Sequence, residues 1–201
     1  MTARHTPVAL AAVIANGGLA VIGTDTVYGL CCDAQNAAAV ERLLALKRRP
    51  SRKPGAIAFF SLDAALAALP ELGERTRAAL RSLLPGPLTL LVPNPAGRFP
   101  SVGGDLLGVR VIDVGLECDR PVLLTSANLA GGPDARTLAE VPQAIRSGVD
   151  LAIDRGTLPG TPSTVVDLGV LEATGGWRIV REGAFTMAAL ERALVGSSAD
   201  E

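Results

Sequence analysis

Histidine occurs once in the 201 residues, as His5, and lysine twice, as Lys47 and Lys53. A serine–histidine–carboxylate triad or a histidine-ligated metal centre therefore has almost nothing to be built from. Cysteine is scarce too, limited to Cys31, Cys32 and Cys118. Two adjacent thiols do not have zinc-ligand spacing, and a small odd number fits buried hydrophobes in a reduced cytosolic protein better than a disulfide framework. Aromatic residues make up 3% of the chain, which supplies few stacking platforms for single-stranded nucleic acid. Nineteen Lys+Arg against twenty Asp+Glu leave a net charge of -1, so no global field draws the protein to nucleic acid or to an anionic membrane. There is no GxxxxGK[ST] loop and no GxGxxG after a strand, so a nucleotide would sit in neither a P-loop nor a Rossmann turn.

What is present is 48% apolar sequence, enough for one compact domain expected over residues 1–195, followed by a polar, disordered tail at 196–201. The charge-free stretch Thr6–Thr24 is interrupted by Pro7, Asn16, Gly17 and Gly18, which reads as helix, turn and strand rather than as a membrane span or signal peptide. A cytoplasmic protein without membrane contact is expected. Thr6 and Pro7 open a helix that stops near Asn16–Gly17, and Leu19–Thr24 is a strand. Asn36 caps a helix carrying Val40, Leu43, Leu44 and Leu46 on one stripe. Further strands are expected at 56–60, 88–92, 107–112, 122–125, 151–154, 164–168 and 177–181, and further helices at 63–69, 74–84, 138–146 and 187–194. The fold class is α/β (α+β) with a mixed sheet.

Small polar groups fall at strand ends: Thr24-Asp25-Thr26, Arg110 inside a valine pair, Thr125-Ser126-Ala127-Asn128, and Ser163-Thr164. In open α/β sheets ligands bind beyond strand ends, so these groups either converge on one pocket or separately cap helices and close turns. Lys47-Arg48-Arg49-Pro50-Ser51-Arg52-Lys53 puts five cations in seven residues. That run matches a polyphosphate, or else a helix C-terminus and a solvated loop. Tyr28 either walls the pocket or belongs to the core.

Seven segments, in this order, resemble the YrdC-like threonylcarbamoyl-AMP synthases: Gly23–Leu30, Lys47–Pro50, Pro85–Thr89, Val109–Val111, Thr125–Gly131, Ser163–Asp167 and Arg181–Gly183. The resemblance implies a twisted open sheet, mixed parallel and antiparallel, with flanking helices and a large cationic cavity. It implies synthesis of threonylcarbamoyl-adenylate and pyrophosphate from L-threonine, bicarbonate or CO2, and ATP with Mg2+ carried on its phosphates and no metal held by the protein. The product would feed t6A modification at tRNA position 37 through a separate downstream transferase, and contact with tRNA or double-stranded RNA is a further implied partner. Carried over by motif, Thr24, Tyr28, Arg110, Ser126 and Ser163 are expected on the threonine side. Lys47, Arg49, Asn128, Arg136 and Arg181 are expected on the ATP side, with Lys47 and Arg49 catalytic.

The chain departs from the family pattern in places. Gly23 replaces a common proline, Ala130 replaces a serine, and the helix usual between Arg110 and Pro121 is expected to be truncated, opening that side of the cavity. The C-terminal extra domain of longer members is not seen, so the single-domain form is expected. Two other readings remain open: a non-catalytic RNA-binding module, and a paralogue acting on another acceptor.

Overall fold

The computed structural model describes residues 7–48 and 55–195. Helix α1 (Pro7–Ala15) leads through a turn at Gly17 into β1 (Leu19–Gly23), which pairs antiparallel with β2 (Tyr28–Asp33). The charge-free opening of the chain is thus a helix and a strand, and among the described residues no helix is long and apolar enough to cross a membrane. Helix α2 (Ala37–Leu46) starts where the Asn36 side chain accepts from the Ala39 N–H at 3.1 Å, a cap that satisfies one otherwise orphaned donor. The chain continues through β3 (Ala56–Phe59), α3 (Leu62–Ala68), α4 (Glu74–Leu83), β4 (Leu88–Pro93), β5 (Leu106–Val111) and β6 (Val122–Ser126). It ends with α5 (Gln143–Gly148), β7 (Leu151–Ile153), β8 (Thr164–Asp167), α6 (Leu171–Thr174), β9 (Arg178–Arg181) and α7 (Met187–Val195).

One expected helix needs correction, and two elements have no counterpart among those expected. The strand Tyr28–Asp33 was not expected, because Tyr-Gly-Leu-Cys-Cys-Asp has little β-branched character; it forms because β1 and β6 flank it and all six residues are buried. The helix expected over 138–146 is broken. A 3₁₀ turn at Leu138–Glu140 ends at Val141, which is held extended (φ -63, ψ 128) by the following Pro142, and α5 starts only after it. The short α6 was also not expected. Between residues 112 and 121 no helix forms, in line with the truncation, and Ile112, Val114 and Leu116 lie buried against the sheet. The proposed tail at 196–201 lies outside the described residues.

The nine strands form one sheet in the order β7-β1-β2-β6-β3-β5-β4-β8-β9. β1/β7, β3/β5 and β4/β8 are parallel pairs and the other five antiparallel. Side chains alternate between its faces. One face carries Val21, Leu30, Ile57, Val109 and Leu90 into the main core, covered by Val40 and Leu43 of α2, Leu80 and Leu83 of α4, and Leu190 of α7. The other carries Ile22, Cys31, Ala58 and Val122 into a smaller core under Leu10 and Ile14 of α1. Cys31 and Cys32 therefore point to opposite cores, both fully buried. The registers continue this second face through Gly29–Ser126 and through Leu124–Ala56–Gly108–Leu91. Gly29, Ser126, Ala56 and Gly108 are small, and a cavity lies over this row.

At the start of edge strand β7, Asp150 fastens its own segment to β1 and α2. Its carboxylate accepts from the Leu19 N–H at 2.8 Å and pairs with Arg42 of α2 at 3.0 Å. The Leu19 N–H, and after it Arg42, hold this carboxyl below its ordinary value. Its stabilisation is therefore complete above the unfolded-chain value of about 3.9 and fades as pH falls through the lower folded value. Denaturant melts of Asp150→Asn from pH 7 to pH 3 should show a stability deficit at neutral pH that narrows below about pH 4, whereas a constant deficit would contradict this role.

Candidate active site

A cavity of about 510 Å³ lies over the second face of the sheet. It is lined by Thr24 from the β1–β2 turn, Arg110 from β5, Thr125 and Ser126 from β6, Ser163 before β8 and Arg181 from β9. Residues separated by up to 157 positions thus converge because each lies in or next to a strand of the same sheet. Its floor holds Gly29, Ala56 and Gly108, whose lack of bulk leaves the space open.

Each hydroxyl is fixed. Thr24 Oγ1 donates to the Val27 carbonyl at 2.7 Å and accepts from the Val27 N–H at 3.3 Å, closing a local turn. Ser126 Oγ donates to Asn128 Oδ1 at 2.9 Å. Ser163 Oγ lies 2.9 Å from Thr89 Oγ1 and accepts from Arg181 Nη2 at 3.2 Å, while the same nitrogen donates to the Ser163 carbonyl at 2.7 Å. Thr164 instead turns its hydroxyl to the Phe185 carbonyl at 2.7 Å. Gly183 is what lets these segments meet: a Cβ there would stand 2.3 Å from the Pro162 carbonyl oxygen and 2.5 Å from the Ser163 carbonyl carbon.

Arg110 is 7% exposed and donates from Nη2 to Asp25 Oδ1 at 2.5 Å, while its Nε has no hydrogen-bond partner. Burial pulls the guanidinium below its ordinary value, Asp25 raises it again, and nearby Arg181 opposes the charge. Two arginines and one carboxylate, Asp134, line the cavity, and a second carboxylate, Asp25, pairs with Arg110 from beside it.

Several expected site residues lie elsewhere. Lys47, 2% exposed, does not line the cavity but lies in its wall. Its Nζ donates to the Ser126 carbonyl, to the Asn128 carbonyl at 2.7 Å and to Asn128 Oδ1 at 2.9 Å. Asn128 is likewise turned inward, donating from Nδ2 to the Gly132 carbonyl at 2.7 Å and to Asp134 Oδ1 at 3.1 Å. Tyr28 is corrected from pocket wall to core: it alternates with Gly29, so it faces the main core, and its hydroxyl donates toward Asp154 Oδ1 (3.0 Å) and the Gly156 carbonyl (2.9 Å). Arg136 is exposed and lies over Gly160, away from the cavity lining. Arg49 lies outside the described residues.

Thr26, named with the strand-end polar groups, does line the cavity; polar lining residues not singled out from sequence are Thr89 and Asp134. Thr89 stands inside a segment that carried the resemblance, so adjacency to the Pro85–Leu88 run was the available signal. Asp134 carried none, since its place depends on the 126–134 loop folding back.

Replacing Lys47 by Met leaves three buried oxygen acceptors without this donor. Lys47→Met should cost about 2–4 kcal/mol in urea denaturation, with faster amide exchange across residues 126–132. An unchanged urea midpoint would rule out this bracing role.

Comparison with known proteins agrees with this architecture. The Sua5/YciO/YrdC family model, described as telomere recombination, matches residues 12–183. A Pseudomonas aeruginosa protein named threonylcarbamoyl-AMP synthase is 39% identical over 168 residues, covering 79% of this chain and 90% of its own. A putative threonylcarbamoyl-AMP synthase of Methanocaldococcus jannaschii is 30% identical over 159 residues, covering 77% of this chain and 76% of its own. The crystal structure of Pyrococcus abyssi Sua5 complexed with L-threonine superposes with a TM-score of 0.80 at 28% identity, over 93% of this chain and 56% of the longer Sua5 chain. With its sheet order, its cavity over the second face and a family match spanning most of its length, the chain belongs to the Sua5/YciO/YrdC family.

Proposed function

We propose that this protein is a threonylcarbamoyl-AMP synthase, a nucleotidyltransferase that makes threonylcarbamoyl-adenylate and pyrophosphate from L-threonine, bicarbonate or CO2, and ATP. The observation that carries the reading is the convergence of Thr24, Ser126 and Ser163 with the buried Arg110 around one cavity of about 510 Å³. The threonine-bound Sua5 relative supports an amino acid as the occupant.

In this reading Arg110 takes the threonine carboxylate through charge-assisted bonds, and the fixed hydroxyls seat the rest of the amino acid. The threonine amine, having given up its proton, adds to CO2 to form a carbamate. One carbamate oxygen then attacks the α-phosphorus of ATP, and the bond to the bridging oxygen of pyrophosphate breaks. Two anions are brought together in that step, so cationic side chains and the Mg2+ carried on the phosphates offset their repulsion. Arg181 from within the cavity and Arg49 from the basic run are the phosphate-side groups. Lys47 acts through the loop it braces, holding Ser126 and Asn128 in place while adding positive potential behind the wall. Arg136 and Tyr28 take no direct part. Orientation of the bound reactants supplies much of the acceleration, up to about 7–11 kcal/mol in favourable systems. The carbamate hydrolyses readily, which favours reaction in a shielded cavity.

In this reading the protein works in the cytoplasm, and its product passes to a separate transferase acting on tRNA. Purified protein with MgATP should release pyrophosphate only when L-threonine and bicarbonate are both present. Arg110→Met should raise the KM for threonine by about 10- to 100-fold, and Arg49→Ala should lower kcat by about 100-fold. Threonine-independent release, or RNA binding without turnover, would overturn the assignment.

A further inference from the structure

Asp25 does not line the cavity, yet it is bonded to Arg110, which does. Its carboxylate reaches Arg110 from the β1–β2 turn, and among the described residues Arg110 is its one hydrogen-bond partner. The pair is unequal in burial: the Arg110 side chain is 8% exposed and that of Asp25 23%. Asp25 uses one oxygen on one nitrogen, Nη2, and the Nε of the same guanidinium is left buried without an acceptor.

A guanidinium grips a carboxylate with two parallel bonds along either of two edges, Nε with Nη2 or Nη1 with Nη2. Nη2 belongs to both. Asp25 therefore stands on the nitrogen that a bidentate ligand needs, without satisfying the neighbouring Nε–H. A carboxylate arriving through the cavity can satisfy Nε and Nη2 together, which a monodentate Asp25 does not. Asp25, on a turn and partly open to solvent, can then rehydrate. Without any counter-ion the empty site would hold an unpaired buried cation, which is costly.

We propose that Asp25 is a resident counter-ion that holds Arg110 in the empty site and competes with the substrate carboxylate for Nη2. It is a positioning residue that sets amino-acid affinity without touching the amino acid. The proposal rests on the reading that Arg110 receives the threonine carboxylate. If the latched pair is the resting state, measured affinity is reduced by the fraction of time the latch is open. Removing the negative charge removes that reduction.

The test titrates the full-length protein with L-threonine by calorimetry, as wild type and as Asp25→Asn, with Asp25→Ser as a second neutral variant and Asp25→Glu retaining the charge. Both neutral variants should bind threonine at least about threefold more tightly, with the gain appearing in KM rather than kcat, and should melt earlier than wild type when empty. Asp25→Glu should bind as wild type does. A merely structural residue would not tighten binding when removed, so unchanged or weaker affinity in the folded neutral variants overturns the proposal. Independently of any variant, the Arg110 Nε–H resonance of the wild type should move to lower field on adding threonine, and a stationary resonance has the same adverse meaning. If wild type binds no threonine at all, the functional reading itself fails, and this inference fails with it.

Discussion

The sheet has to leave part of one face uncovered, and that constraint governs the rest of the structure. Helices α2, α4 and α7 cover the main-core side, so the strands can carry Leu, Ile and Val there without interruption. On the other side α1 and the 112–116 segment cover β7, β1, β2 and the Ala58 and Val122 ends of β3 and β6. Beyond them the period-two alternation exposes every second residue to a hollow, and apolar bulk there would fill it. Gly29, Ala56 and Gly108 keep the floor low, while Thr24, Ser126, Ser163 and Arg110 supply polar groups at its rim.

Polar groups in such a place are expensive unless matched, and the structure matches nearly all of them locally. Lys47 is the clearest case. A buried ammonium with a chain of loop oxygens around it ties the end of α2 to the end of β6 across 79 and 81 positions of sequence. The same loop returns Asp134 to the cavity through Asn128. The exception is Arg110 Nε, the one buried side-chain polar atom without a partner among the described residues. It sits on the buried guanidinium that lines the cavity beside Arg181.

Much of this was legible from the chain itself where the signal was local. Asn36 as a cap and the Val40–Leu43 stripe define α2, and the expected helix at 74–84 matches α4 to within a residue. Hydroxyls at strand ends marked the cavity because strand ends are where an open sheet offers space. Signals that depend on tertiary partners were not legible. Strand β2 is built by its neighbours rather than by its own propensity, and Val141–Pro142 divides a helix that apolar spacing alone suggests. Lys47 looks like a surface cation in a basic run; only the fold shows carbonyl oxygens within its reach. Tyr28 points into the core because its neighbour Gly29 takes the cavity side, and a period-two pattern without a known face cannot say which.

The back-to-back thiols of β2 add a property of their own. Burial pushes Cys31 well up and Cys32 to about 12, so neither ionises near neutrality while the sheet is closed. Since one is sealed under α1 and the other under the opposite helical layer, alkylating reagents would meet them through different breathing motions. The adjacent pair therefore works as a two-channel gauge: unequal modification rates would separate loosening of the α1 side from loosening of the larger layer, at a single point in the chain.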